Sequence, residues 1–186
     1  MSILKIARMG HPVLLDQAKP INPSDIASNA DLQKLIGDMV ETLHDAGGVG
    51  LAAPQVYAGQ RVILAKAPQL SGSDEDKMGV TVLINPELEF IGPDKDLGWE
   101  GCLSIPGLRG AVPRARKLIY RGYDPAGQSV EAEAQGFFAR ILQHEVDHLD
   151  GILYPMRMTD FRYFGFDEEL ARLEREVASG AEGQAE

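Results

Sequence analysis

His144-Glu145-Val146-Asp147-His148 places two imidazoles and a carboxylate within little more than one helical turn. Residues four apart on a helix lie almost above one another, about 40° apart around the axis. His144 and His148 can therefore grip one metal ion from a single face. Glu145 projects about 100° further round, beside that ion, where it can take a proton from a bound water. This is the mechanical content of the HExxH pattern. The bland alternative is a pair of surface histidines flanking a solvated glutamate. The chain has only four histidines, so two at this spacing with a glutamate in place argue against coincidence. The same stretch decides the fold reading. Phe137, Phe138, Ile141, Leu142, Val146 and Leu149 make residues 136–150 a helix apolar around most of its circumference, which belongs in the middle of a fold. Gly151 ends it.

Working outward, residues 117–123 and 128–135 read as a hairpin around Asp124-Pro125-Ala126-Gly127, with Val130, Ala132 and Ala134 alternating against Glu131 and Glu133. Residues 61–67 and 79–85 are rich in Val, Ile and Leu and read as strands, separated by a polar loop at 68–77. Residues 31–46 form an amphipathic helix through Leu32, Leu35, Ile36, Met39, Val40 and Leu43, stopped by Gly47 and Gly48. A last helix is expected at 167–178, with Leu170, Leu173 and Val177 on one stripe. A small, polar tail at 179–186 should be frayed. The expectation is an α+β fold: antiparallel or mixed sheets around the HExxH helix, with an N-terminal and a C-terminal helix, forming one catalytic domain over 1–186.

Bulk properties narrow the function classes. Charged residues at 25% and hydrophobic ones at 44% are ordinary for a globular protein. No apolar run approaches the roughly 20 residues of a membrane helix, and the N-terminus lacks the pattern of a signal peptide. One cysteine, Cys102, cannot form an internal disulfide, which fits a reducing cytosol. A net charge of −10 argues against a generic nucleic-acid surface. The bacterial cytoplasm is the expected location, with an organelle as the alternative, and a monomer the expected state.

A catalytic metal needs a third protein ligand and one open position. The pattern HExxHxxGxxH is followed as far as Gly151 and then offers Tyr154 instead of histidine, so that reading loses its ligand. Glu168 and Glu169 would suit an endopeptidase of the thermolysin type, but they also read as solvated acids of a first helical turn. Cys102 alone reads as a small buried hydrophobe. Beside a two-histidine site short of a ligand it becomes the stronger candidate, because thiolate is a good donor to zinc or ferrous iron.

Three segments together carry a specific resemblance: Gly48-Val49-Gly50-Leu51-Ala52-Ala53-Pro54-Gln55, Glu100-Gly101-Cys102-Leu103-Ser104, and Gln143-His144-Glu145-Val146-Asp147-His148. In this order they resemble the peptide deformylases, which remove the formyl group from the N-terminal methionine of new proteins. The likeness runs from near residue 1 to about residue 160. It implies Cys102, His144 and His148 as ligands of one divalent ion, Fe(II) by family analogy, with Zn, Ni or Co permitted by the donor set. It makes Glu145 the general base and acid, and assigns the oxyanion donors to the Gln55 side-chain amide and the Leu103 backbone N–H. Val49, Gly50, Glu100 and Gly101 would border an N-formylmethionyl peptide. Phe137 and Ile141 would line the methionine pocket, and Arg109 would lie near the substrate backbone. Without that resemblance, Gln55 would pass for an exposed polar residue, Phe137 and Ile141 for core, and Arg109 for an ion-pair partner. Trp99 is expected in the core; His11 and His44 are given no role.

Two departures stand out. Some relatives carry an acid at the position of Gly47, able to pair with the arginine matching Arg109. Some bacterial members also carry a basic C-terminal helix that docks on the ribosome, whereas residues 167–186 here hold seven acids against Arg172 and Arg175, a net −5. The expectation is at most transient ribosome proximity, with no RNA docking through this segment. An HExxH zinc endopeptidase is the runner-up function. A structural zinc module ranks lower, since such sites use four protein ligands and no poised glutamate.

Overall fold

A computed structural model describes residues 2–67 and 79–172. Two long α-helices and eight strands carry the architecture. Helix α1 spans Ala30–Asp45 and α2 Gly136–Leu149. The strands are β1 (Gly50–Ala52), β2 (Val62–Ala67), β3 (Gly79–Phe90), β4 (Lys95–Cys102), β5 (Ile105–Ala115), β6 (Lys117–Tyr123), β7 (Ser129–Gln135) and β8 (Phe164–Phe166). One sheet has five strands in the order β1-β2-β3-β6-β7, and a second has three in the order β4-β5-β8. Every strand pairing is antiparallel. The architecture is α+β with antiparallel sheets and few helices.

Strand β2 shows why the five-stranded sheet is covered on both faces. Side chains alternate across a strand, and all of Val62, Ile63, Leu64 and Ala65 are fully buried. Val62 and Leu64 pack with Leu32, Ile36, Met39 and Leu43 of α1. Ile63 and Ala65 pack on the other side with Ile141, Leu142 and Leu149 of α2. A strand buried on both faces reads as a continuous apolar run, as this one does. A third cluster joins Ile105 and Val112 of β5 to Leu14, Leu153 and Tyr154.

Local signals set the element ends. Asn29 caps α1 by accepting from the Leu32 N–H at 3.0 Å. Gly47, with φ +64°, turns the chain away from that helix. Gly151, at φ +72°, does the same after α2. The N-terminal arm lies across the site-bearing segments: Ala7 N–H donates to Gln55 O at 2.7 Å, Met9 N–H to Ser104 O at 2.8 Å and Ala18 N–H to Leu149 O at 2.8 Å.

Several sequence expectations need adjusting. The strand expected at 79–85 continues to Phe90, past an irregularity between Ile84 and Glu87 where Asn85 adopts φ +52°. Strands β1, β4, β5 and β8 were not foreseen. Residues 167–172 are helical; the rest of the helix expected to 178, the tail at 179–186 and the loop at 68–77 lie outside the described residues. Phe137 was expected on the buried circumference of its helix but is 60% exposed.

Candidate active site

The three putting forward the donor atoms come from two elements. His144 and His148 sit one turn apart on α2, their rings 5.1 Å apart between centroids. Cys102 ends β4, at a register shift between Gly101 and Cys102; such an irregularity re-aims a side chain out of the ladder. Its Sγ lies 3.2 Å from His148 Nε2. The ligand atoms of Cys102, His144 and His148 all fall within 4.8 Å of one another, the one such cluster among the described residues. Donors around a tetrahedral ion with ordinary Zn–S and Zn–N bonds stand about 3.3–3.6 Å apart. One thiol and two imidazoles at this separation fit a divalent cation. Glu168 and Glu169 are exposed and do not join them.

The imidazole of His144 is oriented from behind. Its Nδ1 meets Glu100 Oε2 at 2.9 Å, which leaves Nε2 for the cation side. Glu100 is held in turn by Arg114, through Nε at 2.9 Å and Nη2 at 3.0 Å, and by Arg140 Nη1 at 2.8 Å. Arg114 also reaches Asp147 at 2.5 Å, and Arg157 closes the chain on Asp147 at 2.7 Å. Arg140 completes its hydrogen bonding on the carbonyls of Gly98, Val112 and Asp96. The Tyr154 ring stacks near His144, 6.0 Å between centroids and 23° between planes.

Burial works against the charge on Glu100, but hydrogen bonds from His144 and Arg114 outweigh it and hold the carboxyl at about 2. Glu145 has no such donors among the described residues. Burial pushes its carboxyl up to about 7, with His144 pulling down, Glu100 pushing up and Arg114 pulling down. Burial also opposes charge on His144, yet its hydrogen bonds to Cys102 and Glu100 raise it well above the usual histidine range. His148 is lowered well below that range by burial and by its neighbour His144. A cation reverses this local pattern, because it displaces protons from its ligands.

Glu145 Oε2 and His148 Nδ1 are buried without a hydrogen-bond partner among the described residues. A buried orphan carboxylate oxygen beside three convergent donors is a group kept for something that binds there. Gly50 makes room for it: a Cβ built there would overlap Glu145 Oε1 and lie 2.7 Å from Cδ. The second glycine of Gly48-Val49-Gly50 is thus a steric need of the carboxylate.

Gln55, which would pass for an exposed polar residue without the resemblance, is 1% exposed. It lies in the 3-10 helix Ala53–Val56. Its Oε1 accepts from the Ala52 N–H at 2.8 Å, so Nε2 faces Ser104 Oγ at 3.1 Å and Cys102 Sγ at 3.4 Å. Val49, Gly50, Gln55, Glu100, Gly101, Cys102, Leu103, Arg109, Phe137, Ile141, His144 and Glu145 all line one cavity of about 450 Å³. His148 lies behind that lining, fully buried. Glu100 borders the cavity, but its carboxylate is fully engaged with His144, Arg114 and Arg140. Trp99, expected in the core, is half-buried on the cavity wall. Arg109 forms an ion pair with Asp167 at 2.5 Å.

A family model described as polypeptide deformylase matches residues 3–163. The chain belongs to the polypeptide deformylase family. Within that family it is 49% identical to peptide deformylase 1 of Bordetella pertussis, over 89% of this chain and 93% of the other. It is 47% identical to peptide deformylase 2 of Pseudomonas syringae pv. tomato, over 88% and 92%. Among solved structures, a class I type b peptide deformylase of Acinetobacter baumannii with Met-Ala-Ser bound superposes with a TM-score of 0.76 at 40% identity, over 85% of this chain and all (100%) of that one. The peptide deformylase of Thermotoga maritima gives 0.75 at 35% identity, over 86% and 100%.

Arg114, Arg140, Asp147, Ser104 and Tyr154 escaped the sequence reading of this deformylase-family site. One signal was available. Arg140 and Asp147 are charges on a helix expected to be buried, and a buried charge needs a partner.

Proposed function

We propose that the chain removes the formyl group from N-formylmethionyl peptides of nascent proteins, by metal-dependent hydrolysis. The observation that carries this reading is the meeting of Cys102, His144 and His148 beside the unpartnered, buried Glu145 oxygen. Family membership supports the same activity. The cation held by those three residues would supply Lewis acidity, which lowers the pKa of a neighbouring water and polarises the formyl carbonyl.

The remaining work falls to the chain itself. Glu145 accepts the water's proton through Oε2 and returns it to the amine that leaves. Gln55 Nε2 and the Leu103 backbone N–H donate to the carbonyl oxygen as it gains charge. Glu100 keeps the His144 ring in one tautomer, and the two arginines keep Glu100 ionised. Ile141 and Phe137 receive the methionine side chain, while Val49, Gly50 and Gly101 border the peptide backbone and Arg109 stands at the mouth.

In this reading α2 is the central helix of one catalytic unit over 1–186, acting as a monomer in the bacterial cytoplasm. Fe(II) is the native ion, and zinc, nickel or cobalt would occupy the same donors. The acidic segment 167–186 does not dock on ribosomal RNA. Assay of formyl-Met-Ala-Ser against an unformylated internal peptide tests the proposal: the first alone should be hydrolysed, with loss of activity on chelation. Cleavage of the internal peptide would point to an endopeptidase instead.

A further inference from the structure

The family match stops at residue 163, but the cavity wall does not. Asp167 lines the cavity as its sole member beyond that limit among the described residues. Strand β8 carries it there, pairing with β5 so that Gly165 stands opposite Arg109. The Arg109 guanidinium lies over the Trp99 ring, 5.7 Å from its centroid, and Trp99 meets Tyr163 edge-on at 6.4 Å. Segment 163–167 therefore holds Arg109 by a strand pairing and an ion pair, and braces the Trp99 ring beneath its guanidinium.

The other charged groups on the lining are withdrawn from solvent. The side chains of Glu100 and Arg140 are 4% and 11% exposed and bound to each other; Glu145 is 4% exposed. The side chains of Arg109 and Asp167 are 32% and 51% exposed. This one pair thus sets the charge of the cavity mouth: neutral with Asp167 present, positive without it. A peptide whose formyl end reaches the three donor residues must leave past that mouth.

We propose that Asp167 is a specificity-determining residue for the substrate positions that follow the methionine. Its carboxylate cancels the attraction of Arg109 for acidic side chains and offers an acceptor to basic ones. The proposal rests on the deformylase reading above. The effect belongs to an exposed pair, so it is modest and weakens with salt.

The test compares kcat/KM for formyl-Met-Glu-Ser, formyl-Met-Lys-Ser, formyl-Met-Ala-Glu and formyl-Met-Ala-Lys, each relative to formyl-Met-Ala-Ser. In Asp167→Asn the Glu-to-Lys ratio should rise about 3- to 10-fold at one position or both, the range two exposed charge contacts support. Asp167→Lys should raise it further, and 0.5 M salt should flatten both changes. Ratios that stay put in both variants, or a uniform loss on all five peptides, would make Asp167 only a structural tie and overturn the proposal alone. A wild-type protein that turns over none of the formylated peptides would overturn the deformylase reading and this inference with it.

Discussion

In the deformylase reading, Glu145 moves a proton without itself binding the cation, and its surroundings suit that task. Burial raises its carboxyl to about 7 with no cation beside it, and Oε2 has no hydrogen-bond partner among the described residues, so nothing there competes for a proton. Glu145→Gln preserves shape and removes the base, so metal content should stay at the wild-type level. Turnover should fall by roughly 10²–10⁴-fold, and a variant with both metal and near-normal turnover would remove Glu145 from its role. Gly50→Ala tests the same carboxylate from outside. The added methyl overlaps Glu145 and must push it aside, and a misplacement of that order costs about 10²-fold in rate. Steady-state kinetics on formyl-Met-Ala-Ser measures this, and full activity in Gly50→Ala would show that the carboxylate has room to spare.

At the scale of elements, the site depends on one strand being pinned to one helix. Glu100 of β4 binds His144 of α2 and both buried arginines, so Glu100→Gln removes the anion they share, leaving Arg114 with Asp147 alone and Arg140 with backbone carbonyls only. Breaking a buried ion pair from one side costs about 3–5 kcal/mol, and losing a ligand's hydrogen-bond partner weakens metal binding about 10–100-fold. Denaturant unfolding and chelator competition should show both losses; unchanged values would demote the network to decoration. Much of this architecture was readable beforehand and some was not. Gly47 and Gly151 marked helix ends to within a residue, because the turn that stops a helix is a local matter. Strands β4 and β5 were hidden: Lys95-Asp96-Leu97-Gly98-Trp99-Glu100 and the two prolines Pro106 and Pro113 spoil the alternation that announces a strand. The two histidines and Glu145 were legible since HExxH is a spacing rule within one helix; Cys102 needed the resemblance, because it stands forty-odd positions away. Arg114 and Asp167 were not, because their partners are 14 and 58 positions away and only the fold brings them together.

Across the whole molecule, the two ends of the described chain are tied to its middle by polar contacts. Asp38 of α1 accepts from the Ser2 N–H at 2.7 Å and from Lys34 Nζ at 2.5 Å. Lys34 first, and then the Ser2 backbone N–H, lower its carboxyl from 3.8 to about 2, against a smaller opposing effect of burial. A depressed folded-state pKa gives stability that is complete above the unfolded value and is lost as pH falls through the folded one. Wild-type protein should therefore lose the contribution of Asp38 between about pH 4 and 2. Asp38→Asn should be less stable at pH 6, and its deficit should shrink across that window. Thermal unfolding at several pH values follows the difference, and a deficit independent of pH would rule out the charge as its origin.

The hydrogen bonds from Ala7 and Met9 to Gln55 and Ser104 join residues near the start of the sequence to two segments that border the cavity, and α2 adds His144 and His148 much later in the chain. In that reading of the site, a copy not yet extended past residue 148 holds no complete catalytic apparatus, whatever its early segments have folded into. In the deformylase reading, any formyl group such a copy carries during translation must be cleaved by a finished molecule, so the enzyme's maturation is a reaction between generations.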